Sequence, residues 1–148
     1  MAFRIFHLIV ITLVLTVWNI PVLRGAVPAE NTYQRVAFKT LRTYNPGQKP
    51  PKEVTDLHGK KVEILGFMSA LTQLDDIDEF LLASSPPMNC FCHPPLRVNE
   101  IILVHMNKGR TTEYKPGVVK IRGVLKVNAK VQDEFADVMY TLECEEVL

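Results

Sequence analysis

The sequence predicts an all-β protein: a small OB-like barrel of five or six strands, with a β-sandwich as the alternative. Two observations predict it. Short segments of alternating apolar and polar residues, rich in Val and Ile, recur between residues 57 and 148, separated by turn residues. Glycines stand inside two of these segments, at Gly66 and Gly123, where a strand takes a bulge or the sharp bend of a barrel corner. Alternation alone does not separate a closed barrel from two packed sheets, so both architectures stay open.

Residues 30–56 read as a lead-in segment followed by a proline-rich loop. Glu30 to Thr43 suits a strand or a short helix, with Val36, Phe38 and Leu41 as its buried residues. Asn45-Pro46-Gly47 is turn chemistry, and Pro50-Pro51 favours an extended path. The barrel domain spans residues 57–148. His58-Gly59 opens it as a turn in which glycine supplies the positive φ. Val62, Ile64 and Gly66 then alternate with Glu63, Leu65 and Phe67 as a first strand. Thr72 to Asp78 is polar and acidic, a loop or one helical turn. Glu79 to Ser84 is a short apolar strand, and Glu100 to Met106 is a stronger one, apolar on both faces. Asn107-Lys108-Gly109 closes the latter with a turn. Gly117 to Val127 is the clearest strand, with Lys120, Arg122 and Lys126 alternating with Val119, Ile121, Leu125 and Val127. Asn128 to Ala136 reads as a short helix or a long hairpin loop, and Met139 to Val147 as the last strand.

The N-terminal segment, residues 1–29, has another character. Arg4 lies in a short basic start, and Ile5 to Leu23 is almost entirely apolar. That is the pattern of an export signal, and Ala26-Val27-Pro28-Ala29 offers a cleavage point. An uncleaved membrane anchor is the alternative, because the apolar run is about as long as a span of about 20 residues requires. Both readings place the folded part outside the cytoplasm, in the periplasm or on the outer face of the inner membrane. Membrane contact is then expected only through this segment, if it stays uncleaved. The segment holds Arg4 and Arg24 and no acid, so of 17 basic and 16 acidic side chains 15 and 16 remain, a net charge of −1. No basic run with interleaved aromatics follows, and nucleic acid is not an expected partner.

The chemistry concentrates in Met88-Asn89-Cys90-Phe91-Cys92-His93-Pro94-Pro95, which holds two of the three cysteines. Pro86-Pro87 and Pro94-Pro95 flank the reactive residues and lower the entropy cost of ordering them. Cys90, Cys92 and His93, with Cys144 from the last strand, form a candidate metal set of three thiolates and an imidazole. Such donors suit tetrahedral zinc, and thiolates also suit copper. The spacing Cys-x-Cys is tighter than that of ordinary zinc modules. A disulfide between Cys144 and either Cys90 or Cys92 is the alternative, since exported thiols tend to pair. It would close a loop of roughly 50 residues, worth about 3–4 kcal/mol in the chain-entropy account. A redox site is the third reading: His93 beside Cys92 can favour a thiolate, although Cys-x-x-Cys and a βαβ pattern are lacking. His58 reads as a solvent-facing turn residue. His105 beside Met106 is able to face the core or a site. The acids Asp75, Asp76, Asp78 and Glu79 read as a solvated loop rather than a calcium site.

Several motifs together resemble an uncharacterised family of exported bacterial proteins, a domain of unknown function. They are Leu57-x-Gly59-Lys60-x-Val62-x-Ile64-x-Gly66-Phe67-Met68, then Phe80-Leu81-Leu82, then Cys-x-Cys-His-Pro-Pro before Asn99-Glu100-x-Ile102, and then Val119-x-Ile121-x-Gly123-x-Leu125. The resemblance runs from Phe38 to Val147. It implies an export signal or lipoprotein start, and members encoded beside ATP-driven transport systems. It carries over no catalytic residue. Where many members continue with a longer proline run and Asn-Gln, this chain has Leu96-Arg97-Val98 and Glu100. The function expected is therefore a non-enzymatic accessory or binding protein of the cell envelope, acting through the Cys90–Asn99 loop. An envelope transporter or another envelope protein is the expected partner, and zinc or copper the metals the loop suits. A structural envelope protein with a disulfide staple and a protein partner is the alternative, and a thiol oxidoreductase the third.

Overall fold

The structure is a computed structural model and describes residues 32–86, 96–131 and 137–148. The N-terminal segment expected to be an export signal or anchor and the cysteines of the loop lie outside the described residues. Thr32–Leu148 forms one compact unit. Its elements are β1 (Gln34–Val36), α1 (Phe38–Leu41), α2 (Lys52–Thr55), β2 (Lys60–Ala70), β3 (Glu79–Ala83), β4 (Ile101–Met106), β5 (Val118–Val127) and β6 (Tyr140–Val147). A single 3-10 turn, Val98–Glu100, leads into β4.

The barrel closes through β2–β3–β4–β6–β5, with β5 returning to β2. All its pairs are antiparallel except β4–β6, which run parallel. This is the OB-like barrel the sequence predicts, and pairing of β2 with both β3 and β5 rules out two separate sheets. β1 is an extra strand, laid parallel to β2 at Val62, Glu63 and Ile64.

The closure depends on β2 changing partners. Its first part pairs with β5 from Lys60 to Phe67, and its end pairs with β3 from Phe67 to Ala70. Gly66 lies at the changeover. A Cβ there would stand 2.7 Å from Leu82 Cγ and 2.8 Å from the carbonyl oxygen of Ala83. Gly123 is tighter still, since a Cβ would stand 2.2 Å from the carbonyl oxygen of Glu143. It adjoins the irregularity in the β5–β6 ladder between Arg122 and Gly123. The bends inferred from the sequence therefore exist because backbones approach too closely for any side chain.

Alternation then fills the interior. Val62, Ile64 and Met68 of β2 point inward and are essentially inaccessible, as are Phe80 and Leu82 of β3. Each such side chain contributes about 1.5–3 kcal/mol on burial. The lead-in closes one end. Leu41, Tyr44 and Val54 are fully buried, and Leu57 nearly so. The Tyr140 hydroxyl donates to the carbonyl of Leu41 at 2.8 Å, and the Tyr44 hydroxyl to that of Asn128 at 3.0 Å. Their rings meet edge-on, 6.4 Å between centroids. The turn before β2 is locked to β5: Gly59, at φ 74°, donates its N–H to Leu125, and Val127 donates its N–H to His58 Nδ1. His58 is exposed, as the sequence suggests, but it also holds this corner. The short helix α2 was not legible among the prolines; Pro51 starts it, and the Thr55 hydroxyl donates to the Pro51 carbonyl at 3.0 Å.

Gly123→Ala is expected to lower stability by about 2 kcal/mol through overpacking against rigid backbone. Gly66→Ala is expected to cost less, because its closest backbone atom, the Ala83 carbonyl oxygen, stands at 2.8 Å rather than 2.2 Å. Urea unfolding of both variants checks the order, and equal losses would show that steric closeness is not what selects these glycines.

Candidate functional site

The connection from β3 to β4 carries the cysteine loop, so its two stems decide how the loop is held. Ala83 is the register partner of Ile101, and Ser84 donates its N–H to Glu100 at 3.0 Å, so the stems leave the barrel side by side. Arg42 from the lead-in joins them. Its Nε lies 2.7 Å from Glu100 Oε1, and its Nη2 donates to Ser84 Oγ at 3.0 Å. Glu100 also accepts the Arg97 N–H at 3.0 Å, which winds the 3-10 turn.

Asn99 sits beneath this clamp and is 3 % exposed. Its Nδ2 donates to the carbonyls of Arg42 and Tyr44, at 3.2 and 3.0 Å, and approaches Asn45 Oδ1 at 3.3 Å. Three oxygens around one atom identify it as the nitrogen, because reversing the amide would set oxygen against oxygen. The opposite atom, Oδ1, is buried and has no hydrogen-bond partner among the described residues. An unsatisfied buried acceptor costs about 1–3 kcal/mol. The asparagine therefore ties the loop's second stem to the lead-in and keeps one acceptor unspent.

The candidate metal residues divide. Cys90, Cys92 and His93 lie outside the described residues. Cys144 is fully buried in the core and is a free thiol. It pairs in register with Met106, at the end of β4 remote from the loop. Five residues of strand separate that position from Ile101, about 17 Å at about 3.3 Å per residue. Burial pushes the Cys144 thiol up to about 11, opposed in part by a backbone hydrogen bond at Glu146. His105 faces outward, its Nδ1 2.8 Å from Glu79 Oε2 across the β3–β4 pair. Among the described residues no group of three or more His, Cys, Asp and Glu side chains is placed to hold a metal ion. The acidic loop before β3 is exposed, with Gln73 and Thr111 bonded to Asp76.

A second polar cluster escaped the sequence reading. Glu63 faces outward on β2 yet is only 8 % exposed. Arg122 Nε and Nη2 both reach its Oε2 at 2.9 Å, and Arg122 Nη1 continues to Glu146 at 3.0 Å. Arg35 Nε stands 3.3 Å and Lys120 Nζ 3.9 Å from Oε1. The Arg122 hydrogen bond is the main cause that holds the Glu63 carboxyl below its ordinary range; burial opposes it, and the neighbouring cations reinforce it. Beside it the Tyr33 hydroxyl donates to Glu145 at 2.5 Å, and Arg122 and Lys61 lie over the Tyr33 ring. That bond raises the phenol and lowers the carboxyl. The alternating charges of β5 were visible in the sequence, but the parallel docking of β1 that brings in Arg35 was not.

Fold and site together define the class: an OB-like barrel whose lead-in clamps both stems of a long β3–β4 loop. Residues 25–148 match the model of a family described as "Protein of unknown function (DUF3299)", and the chain belongs to that family. Among solved structures it is similar to the crystal structure of a DUF3299 family protein from Pseudomonas aeruginosa PAO1, with a TM-score of 0.52 and 19 % identity. That match covers 78 % of this chain and 95 % of the other, and at such identity it shows the fold. No curated protein matches the chain significantly.

Two outcomes follow from the titrating groups. A carboxyl lowered by folding stabilises above its unfolded value and loses that effect as the pH falls through its folded value. The stability gap between the native protein and Glu63→Gln is therefore expected to be largest at neutral pH and to shrink below the ordinary carboxyl value of 4.5. Urea midpoints across that range check it, and a constant gap refutes the role given to ionised Glu63. Cys144 is expected to resist alkylation at mildly alkaline pH until the protein unfolds, because the thiolate is the reactive form. Peptide mapping after a timed iodoacetamide pulse measures this.

Proposed function

We propose that the protein is an exported, non-enzymatic binding module of the cell envelope, accessory to an envelope transporter or another envelope protein. The barrel presents the Cys90–Asn99 loop, and the loop handles a metal of the zinc or copper kind. The observation that carries this reading is the doubly held stem: Arg42 bridges Ser84 and Glu100, while buried Asn99 fixes the second stem and leaves Oδ1 without a partner among the described residues. A loop that only connected two strands would gain little from a buried, incompletely satisfied amide. A loop that must hold donors in place gains a rigid base. Cys90, Cys92 and His93 supply soft and borderline donors suited to these metals. Cys144 completes the set only if its thiol leaves the core position in which burial keeps it protonated.

The test is the intact mass of the exported protein, isolated without chelator, under native and denaturing conditions. The expected result is one metal ion, lost on denaturation and absent from Cys92→Ser, with Cys144→Ser reporting whether the core thiol is a ligand. A metal-free mass two hydrogens below the reduced value would replace this reading with a disulfide-stapled structural protein. Rapid exchange with glutathione would replace it with a thiol oxidoreductase.

A further inference from the structure

We propose that a second site, independent of the cysteine loop, binds a singly charged amphiphile: a carboxylate carrying an apolar chain. The site is the cleft between β1, the start of α1 and the outer faces of β2 and β5. Its volume is about 430 Å³, within the range of about 300–1,000 Å³ that small-ligand clefts occupy.

The cleft follows from the way β2 is covered. β1 reaches only to Ile64, and β3 begins to pair at Phe67, so among the described residues Leu65 and Gly66 have no strand on that edge. The chain turns from Val36 into α1, and Val36, Ala37 and Phe38 line the cleft with Leu65, although Val36 and Phe38 themselves belong to the core and are 8 % exposed. Leu65 is 57 % exposed, an unusual position for a leucine in the middle of a strand. The apolar surface continues beyond it. Phe67 opposes Val118 and Leu65 opposes Lys120, so all four side chains share the outer face. Val118 is 61 % exposed, and Leu148, also exposed, exchanges both backbone hydrogen bonds with Lys120.

The charges at the mouth select the head group. Glu63 gives its Oε2 to Arg122, which also holds Glu146. Arg35 and Lys120 share the remaining oxygen at longer range, 3.3 and 3.9 Å. Arg35 turns only Nε toward Glu63, and its side chain is 88 % exposed, so the end of the guanidinium fork faces solvent. Arg35, Lys120 and Arg122 against Glu63 and Glu146 leave one positive charge. One negative charge balances it, whereas a doubly charged phosphate would overshoot. A planar carboxylate also matches the two-pronged donor of arginine. The ligand would set its head between Arg35 and Lys120 and lay its chain over Leu65 toward Val118.

The test titrates the protein as exported, with carbon-13-labelled Leu and Val methyl groups, using dodecanoate below its micelle-forming concentration. Saturable shifts centred on the Leu65 and Val118 methyls, with smaller ones at Val36 and Leu148, are expected. Dodecanol, of equal chain length and no charge, is expected to bind about tenfold more weakly or worse, as an Arg35→Gln, Lys120→Gln protein is for dodecanoate. The alcohol comparison uses the unaltered protein, so it decides even if the double variant unfolds. Equal affinity for alcohol and carboxylate, shifts centred elsewhere, or no saturation would each overturn the proposal. So would sedimentation with vesicles of anionic phosphatidylglycerol without binding of free dodecanoate, which would make this face a membrane contact. None of these outcomes depends on the metal reading of the loop.

Discussion

The rest of the barrel depends on β2 having two partners at once. A strand can satisfy neighbours on both edges along its whole length in a flat sheet, but a closed barrel this small forces it to bend. Gly66 is where the bend falls, and the carbonyl of Ala83 and the side chain of Leu82 occupy the space a side chain would need. Gly123 answers the same demand on the neighbouring strand, against the carbonyl of Glu143. Because both contacts are with backbone or tightly packed core, closure fixes the register of β2, β3 and β5 together. The inward set from Val62 to Leu125 then follows from alternation alone.

The lead-in turns this barrel into a holder. Tyr44 and Tyr140 lock it across the open end, and the same short segment supplies Arg42, Tyr44 and Asn45 as partners for the loop stem. Core packing and loop positioning are thus one structure: the groups that exclude water from the barrel end also bear on Asn99. Just before this segment β1 performs a comparable service, covering Glu63 enough to bury its carboxyl while leaving Leu65 bare.

Much of the fold was legible because it rests on local patterns. The alternation of Val119, Ile121, Leu125 and Val127 marks β5, and the glycines mark the bends. Turn chemistry at Gly59 and Gly109 marks two corners, both at positive φ. The buried residues of the lead-in, Val36, Phe38 and Leu41, were legible for the same reason. What remained hidden depends on pairing between distant segments. Nothing in Gln34-Arg35-Val36 announces a parallel partner at Val62, and nothing in Glu63 announces three cations gathered from two other strands. Asn99 stood out only as part of a motif. Its role depends on carbonyls more than fifty residues away, a distance that composition and periodicity do not register.

That separation has a consequence for the order of assembly. The β2–β3 pair joins residues close in sequence, whereas β2–β5 joins Lys60 to Leu125. Contacts so remote must recoup the entropy of a long closed segment before they return any stability, and they form late. The lead-in cannot complete its docking before then, since Tyr44 bonds to Asn128 and Leu41 accepts from Tyr140. Arg42 and the backbone that grips Asn99 belong to that same late-arriving segment. By that ordering the clamp on the β3–β4 stems is expected to be completed only on a barrel that has already closed.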